Sequence, residues 1–371
     1  MVEWKKLGEI AKITNGERPI LEILEKGKYP YINAGRTNSG YINDFNSEKG
    51  AITTPSHGEG GIGSVMFQKQ NFWCGALCYK IYVDNNINNR YLFHYLSKNS
   101  RLIFDCKNVG GLPYINRKQL EKIAIEIPSL SEQNHIVGIL DTFTDSIENL
   151  KQQIAQRRKQ YEFYRDQLLD FEGKEGVEMK TLGEIFSFKN GLNKGKEFFG
   201  EGRPIIMFSN VFNSRYIDSS KINSKVNITD KELERIDAKY GDVFFTRTSE
   251  TKEDVGYASV LLEDVGECTF AGFLIRARPL TYLLEPSYCK YCFSTPSIRR
   301  MIVENSSFTT RASLTGAGLG KIRIPVPPLS EQQRIVSILD TFEASISNLE
   351  AQLAQRQKQY EYYRNKLLTF E

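Results

Sequence analysis

The sequence predicts a mixed α/β protein: two globular domains separated by two long antiparallel coiled-coil helices, related by a pseudo-twofold internal repeat. Three observations predict it. One segment occurs twice, at 128–172 and 327–371, aligned without a gap and identical at about two-thirds of its positions. Each copy carries an apolar seam in alternating steps of four and three, the spacing of a coiled coil. The stretches preceding the two copies diverge almost completely and mix strand-like runs, short helical stretches and loops. The expected divisions are a first domain at 1–130, a helix at 131–172, a second domain at 173–329 and a second helix at 330–371.

The first domain opens on Lys6-Leu7-Gly8-Glu9-Ile10, echoed by Thr181-Leu182-Gly183-Glu184-Ile185 in the second. Asn15-Gly16 is echoed by Asn190-Gly191, and Tyr41-Ile42 by Tyr216-Ile217. Residues 72–83 read as a strand and 89–97 as a helix, with loops at 33–40, 57–63 and 110–113. In the first shared segment Ser131 stands before Glu and Gln as an N-cap would. The seam then runs Ile136, Leu140, Phe143, Ile147, Leu150, Ile154, Tyr161, Tyr164, Leu168, Phe171. About 40 helical residues would span roughly 60 Å. Arg157 interrupts the seam, either fixing register or reaching the surface along its apolar stem.

The linker at 172–176 is short, so the second domain starts near the end of the first helix, and pairing of the helices is expected to be antiparallel. In that second domain 258–262 and 270–277 read as strands, 287–293 as a helix and 316–320 as a loop. The second seam repeats the first as Ile335, Leu339, Phe342, Ile346, Leu349, Leu353, Tyr360, Tyr363, Leu367, Phe370, with Arg356 in the place of Arg157.

Composition narrows the function. Forty-nine basic against 45 acidic residues leave a net charge of +4, so any strong cationic surface must come from arrangement. Cys289-Lys-Tyr-Cys292 is the one Cys-x-x-Cys among six cysteines, without a second pair at zinc spacing, so free buried thiols in a reducing cytosol are expected. No apolar run is long enough to cross a membrane, and Met1-Val-Glu-Trp-Lys-Lys-Leu has no signal-peptide core, which places the chain in the cytoplasm.

Catalytic patterns are lacking. His57, His94 and His135 sit in no triad or metal spacing. The stretch 191–197 imitates a phosphate-binding loop, but its glycines are one residue too close and Glu197 stands where Ser or Thr should be. Basic and amide side chains suited to DNA are Arg36, Asn38, Lys69, Arg117 and Lys118 in the first half. In the second half they are Arg215, Arg247, Lys252, Arg299, Arg300 and Arg311, with Thr248 beside them for phosphate contacts.

Pro128-Ser-Leu-Ser-Glu-Gln and Pro327-Pro-Leu-Ser-Glu-Gln, each followed by Ile-Val-x-Ile-Leu-Asp and a Tyr- and Gln-bearing helix, resemble the conserved regions of type I restriction–modification specificity subunits. Trp4-Lys-Lys-Leu-Gly-Glu-Ile and Met179-Lys-Thr-Leu-Gly-Glu-Ile resemble the openings of their target-recognition domains. Gly241-Asp-Val-Phe-Phe-Thr-Arg-Thr resembles a segment common in those domains, where the first half departs as Gly50-Ala-Ile-Thr-Thr-Pro-Ser-His. The resemblance implies a non-catalytic subunit that reads an asymmetric, interrupted target in double-stranded DNA, one domain per half-site, with the helices as a ruler for the spacer. It implies two methyltransferase subunits and ATP-driven restriction subunits as partners. S-adenosylmethionine, ATP and Mg would be bound by those partners and not by this chain. A lone DNA-binding protein, or a structural dumbbell with protein- or glycan-binding ends, remain alternatives on the residues alone.

Overall fold

The computed structural model describes residues 2–370 except 59, 85, 109 and 110. Glu59 and Gly110, in two of the expected loops, thus lie outside the described residues. The chain forms two compact units: Met1–Gln153 with Leu349–Glu371, and Ile154–Asn348. Each unit therefore owns one variable region, the first part of the long helix that follows it and the last part of the other long helix.

In the first unit a four-stranded antiparallel sheet has the order Ala11–Asn15, Cys78–Val83, Ile52–Pro55, Met66–Phe67. A three-stranded sheet pairs Tyr29–Ile32 with Tyr41–Ile42 and, in parallel, with Trp73–Cys74. The second unit repeats this plan. Phe186–Asn190, Leu274–Pro279, Val243–Thr246 and Ala258–Leu261 are neighbours in the same order, extended by Tyr216–Ile217. Phe199–Ile206 takes the place of Tyr29–Ile32, pairing in parallel with Thr269–Phe270. Two domains that hardly share sequence thus share topology.

Backbone needs explain which residues the halves do share. Gly16 lies against the peptide of Cys74, where a Cβ would come 2.3 Å from its carbonyl oxygen; Gly191 lies against Ala271, where the distance would be 2.1 Å. Only glycine permits that approach. The same crossing breaks the two long strands expected at 72–83 and 270–277. Each becomes a short strand, a turn at Gly75 or Gly272, and a second strand. The expected loop at 316–320 is a helical turn, Gly316–Gly320, capped by Thr315 Oγ1 accepting from Gly318 N at 3.0 Å and pinned by buried Leu319.

The strand pair Glu3–Lys6 with Ala124–Ile127 closes the first domain just before its long helix, and Glu178–Thr181 with Arg323–Val326 closes the second. The helices then run Leu130–Leu168 and Leu329–Leu367. The first starts two residues earlier than a cap at Ser131 would set it. Ser129 is the cap, its Oγ accepting from Glu132 N at 3.3 Å.

The seam packs as an antiparallel pair inside each unit. In the first, Phe143 stacks on Tyr363 with ring centroids 5.2 Å apart, while Ile136 shares a core with Leu367 and Phe370. In the second, Phe342 stacks on Tyr164 at 5.4 Å, and Ile335 shares a core with Leu168 and Phe171. Arg356 lies over the Phe143 ring at 5.6 Å and Arg157 over Phe342 at 5.8 Å. The seam arginines therefore cap aromatic faces with half-exposed guanidinium groups. Ile147, Leu150, Ile346 and Leu349 continue the seam, buried or half-buried.

Candidate nucleic-acid interface

Each domain is fixed to its long helix by the shared motif. Gln133 and Gln332 are buried. Gln133 Oε1 accepts from Asn88 N at 2.9 Å and its Nε2 donates to the Pro128 carbonyl at 2.9 Å. Gln332 Oε1 accepts from Glu285 N, and its Nε2 donates to the Leu283 and Pro327 carbonyls, all at 2.8 Å.

The motif aspartates make a second tie. Asp141 takes both oxygens to Arg90 and accepts from His94 Nε2 at 2.8 Å; the other nitrogen of this fully buried imidazole lies 3.1 Å from Tyr360 Oη. Burial lowers the His94 pKa, so the ring is neutral, donating through Nε2 to the carboxylate and accepting the Tyr360 hydroxyl at Nδ1. Burial alone would raise Asp141, but the His94 and Arg90 hydrogen bonds and the Arg90 charge outweigh it and hold the carboxyl at about 2. In the second unit Asp340 accepts from Tyr291 Oη at 2.5 Å and Lys290 Nζ at 2.8 Å, with Glu343 and Tyr161 completing the cluster. Tyr161 and Tyr360 occupy the same seam position of the two copies, which is why a hydroxyl persists there.

The open faces of the domains differ in chemistry. In the second unit an open groove of about 890 Å³ is lined by Lys194, Lys196, Lys225 and Arg247, by Thr248 and by Phe273. No acidic side chain lines it among the described residues. Lys194 is tied to Glu232 at 2.9 Å, whose carboxyl is held at about 2 by the Thr229 backbone N–H and then by Lys194, whereas Lys196 and Lys225 are exposed. Lys194 and Lys196 fall in the stretch that only imitated a phosphate loop. In the first unit the matching strand end carries Ser56 and His57, with His57 stacked on Tyr114 at 5.8 Å.

The residues expected to meet DNA separate into two groups. Arg215 is a structural clamp, bonded to Tyr161 Oη and to Glu343 at 2.5 Å. Arg299 donates to the Glu253, Val255 and Gly256 carbonyls and holds that loop. Lys69 pairs with Asp145 at 3.2 Å and Arg117 with Glu121 at 2.8 Å. These four already have partners, in the same domain or on the long helices packed against it. Asn38, Lys118, Lys252 and Arg300 are exposed. Arg36 is exposed while bonding the Gly60 carbonyl at 2.7 Å, and Arg311 sits 3.7 Å from Glu250. Arg247 and Thr248 line the groove. Sequence reasoning missed Lys225 and Phe273, which only the fold brings beside Arg247, and it missed the buried role of Gln133 and Gln332.

The cysteines are all free and buried. Burial pushes the Cys292 thiol up to about 12 and raises Cys289 well above its ordinary value, in a helix packed into the domain core. Among the described residues no cluster of His, Cys, Asp or Glu is able to hold a metal ion, and no helix is long and apolar enough to cross a membrane.

Two domains of one topology, held to duplicated helices by the same buried residues yet presenting different surfaces, define a duplicated recognition protein. The family model for the type I restriction modification DNA specificity domain matches residues 1–157 and 174–357, and the chain belongs to that family. It is 29% identical to the EcoR124I/EcoR124II type I restriction enzyme specificity subunit of Escherichia coli, over 100% of this chain and 94% of that one. It is 25% identical to the EcoKI specificity subunit of E. coli K12, over 81% of this chain and 69% of that one. The crystal structure of a type I restriction–modification system S subunit from M. genitalium superposes with a TM-score of 0.66 at 19% identity, covering 100% and 97% of the two chains, which shows the fold. As a specificity subunit the chain recognises DNA and is not an enzyme; catalysis in type I systems lies in partner subunits.

Proposed function

We propose that this chain reads an asymmetric, two-part target in double-stranded DNA, one domain per half-site, and recruits two methyltransferase subunits and the restriction subunits of a type I complex. The observation that carries the reading is one topology used twice with different side chains at the same strand end: Arg247-Thr248 in a cationic groove, and Ser56-His57 against Tyr114. Like scaffolds with unlike surfaces suit unlike half-sites. The duplicated helices supply two like surfaces, which fits two copies of one partner, and their length sets the number of unread base pairs. S-adenosylmethionine, ATP and Mg belong to the partner subunits in this reading, and the complex works on DNA in the cytoplasm. The test is methylation-sensitive sequencing of the host genome with the gene intact and deleted. Loss of adenine methylation at an interrupted two-part motif is the expected result; unchanged methylation overturns the proposal. Shortening both helices by matched heptads should shorten the spacer, and an unchanged spacer removes the ruler.

A further inference from the structure

The end of the central strand has the same backbone frame in both domains. In the second, Arg247 N–H donates to the Phe273 carbonyl at 2.8 Å and Leu314 N–H donates to the Arg247 carbonyl at 2.9 Å. In the first, Ser56 N–H donates to the Leu77 carbonyl at 2.9 Å and Ile115 N–H donates to the Ser56 carbonyl at 2.8 Å. The strand leading to each frame follows a left-handed glycine, Gly241 at φ +85° and Gly50 at φ +90°. The backbone is therefore set on both sides, and what differs is the side chain it presents. A backbone held by main-chain bonds alone suits a base-reading site at or beside it, since a reader must be preorganised without its support depending on its identity.

The two domains fill the frame differently. Arg247 lines the cationic groove with one long bond, from Nη1 to the Gly272 carbonyl at 3.4 Å, so its donor fork remains available. Lys196 and Lys225 flank it, exposed and positioned for phosphates. In the first domain the shorter Ser56 is buried, and its Oγ lies 2.9 Å from His57 Nδ1. That contact and the Tyr114 ring hold His57, the partly exposed side chain at this strand end.

We propose that residue 247 in the second domain and residue 57 in the first are specificity-determining positions, with Arg247 reading a guanine through O6 and N7 and His57 reading a base in the other half-site. This rests on the two-part reading above. Arginine is the side chain that pairs bidentately with guanine in the major groove, and one such pair separates right from wrong base by about 10- to 100-fold. The experiment is motif mapping by methylation sequencing in cells carrying the methyltransferase partner with wild-type chain, R247A, R247K or H57A. R247A is expected to make one base pair of one half-site degenerate, its preference falling by about 10- to 100-fold, with the other half-site intact. H57A is expected to relax a position in the other half-site only. A motif unchanged in R247A but methylated less at every site means a phosphate contact and overturns the assignment, as does an effect on both half-sites. Should R247A give no methylation, competition binding of the purified complex, with duplexes varied at each position of the wild-type motif, decides: equal loss at every position overturns it. A wild-type chain that directs no two-part motif overturns the underlying reading instead.

Discussion

Replacing Asp141 with Asn removes the carboxylate on which the first domain and its helix converge. Arg90, with 15% of its side chain exposed, loses its counter-charge and one of two acceptor oxygens, and the buried His94 must share the single amide oxygen that remains. Removing one partner of a buried pair costs about 3–5 kcal/mol. Asp141 retains 29% exposure, so the lower end, about 3 kcal/mol, applies. For a unit of this size that lowers the melting temperature by about 6–12 °C. The assay is selective, because both tryptophans, Trp4 and Trp73, lie in the first unit, so tryptophan fluorescence follows that unit. Acid provides a second readout. Asp141 and His94 both bind protons less readily folded than unfolded, so stability is lost as pH falls. The His94 contribution is complete above its ordinary 6.5 and declines below it; that of Asp141 is complete above 3.8 and disappears towards about 2. D141N should erase the lower step. A variant melting within about 1 °C of the parent, with the step below pH 4 intact, would refute the joint as a stabilising element.

Four further outcomes follow from the same geometry. Gln332→Leu leaves the Glu285 N–H and the Leu283 and Pro327 carbonyls without partners and should cost about 3 kcal/mol, measured by thermal melting of the purified chain. Gly191→Ala would place a Cβ 2.1 Å from the Ala271 oxygen; we expect insoluble or strongly destabilised protein, whereas Gly60→Ala, with nothing within 4 Å, should express normally. Arg157→Ala uncovers the Phe342 ring and should cost only about 0.5–1 kcal/mol, since the guanidinium is half-exposed. Cys289 and Cys292 should resist alkylation at pH 8 in native protein and react on denaturation, checked by mass spectrometry.

The repeat was legible because a coiled-coil seam is written in local spacing. Every seam residue from Ile136 to Leu367 is at least half-buried apart from the stacked Tyr164 and Tyr363. The domains were legible where the backbone forces a residue type, as at Gly16 and Gly191, and in short elements such as the helices at 89–97 and 287–293. Their common topology was not, since strands such as Ile52–Pro55 and Val243–Thr246 need only be apolar or β-branched to occupy one place in a sheet. The groove was illegible for a related reason. Lys194, Lys225, Arg247 and Phe273 are scattered over some 80 residues and meet only after folding. Arg215 and Arg299 show the converse: a basic side chain in a loop reads the same in sequence whether it faces solvent or holds a carboxylate or carbonyl of its own chain.

The two ties between domain and helix explain how unlike domains come to sit on like helices. Gln133 and Gln332 bond only main-chain atoms of the domain, so no side chain in the variable region has to be kept for that tie to form. The aspartates bond side chains, and there the domains have gone separate ways: Arg90 and His94 on one, Lys290 and Tyr291 on the other, each meeting the same carboxylate with a cation and a ring. The aspartate accepts from almost any donor, and the tyrosine of the opposite copy can donate to His94 or receive from Arg215. A shared segment built from an amide that reads backbone and a carboxylate and hydroxyl tolerant of many partners can carry a domain whose surface is free to change. That freedom puts the constraint of the fold in the helices and leaves the side chains at the end of the central strand, from Ser56 in one domain and from Arg247 in the other, free to differ.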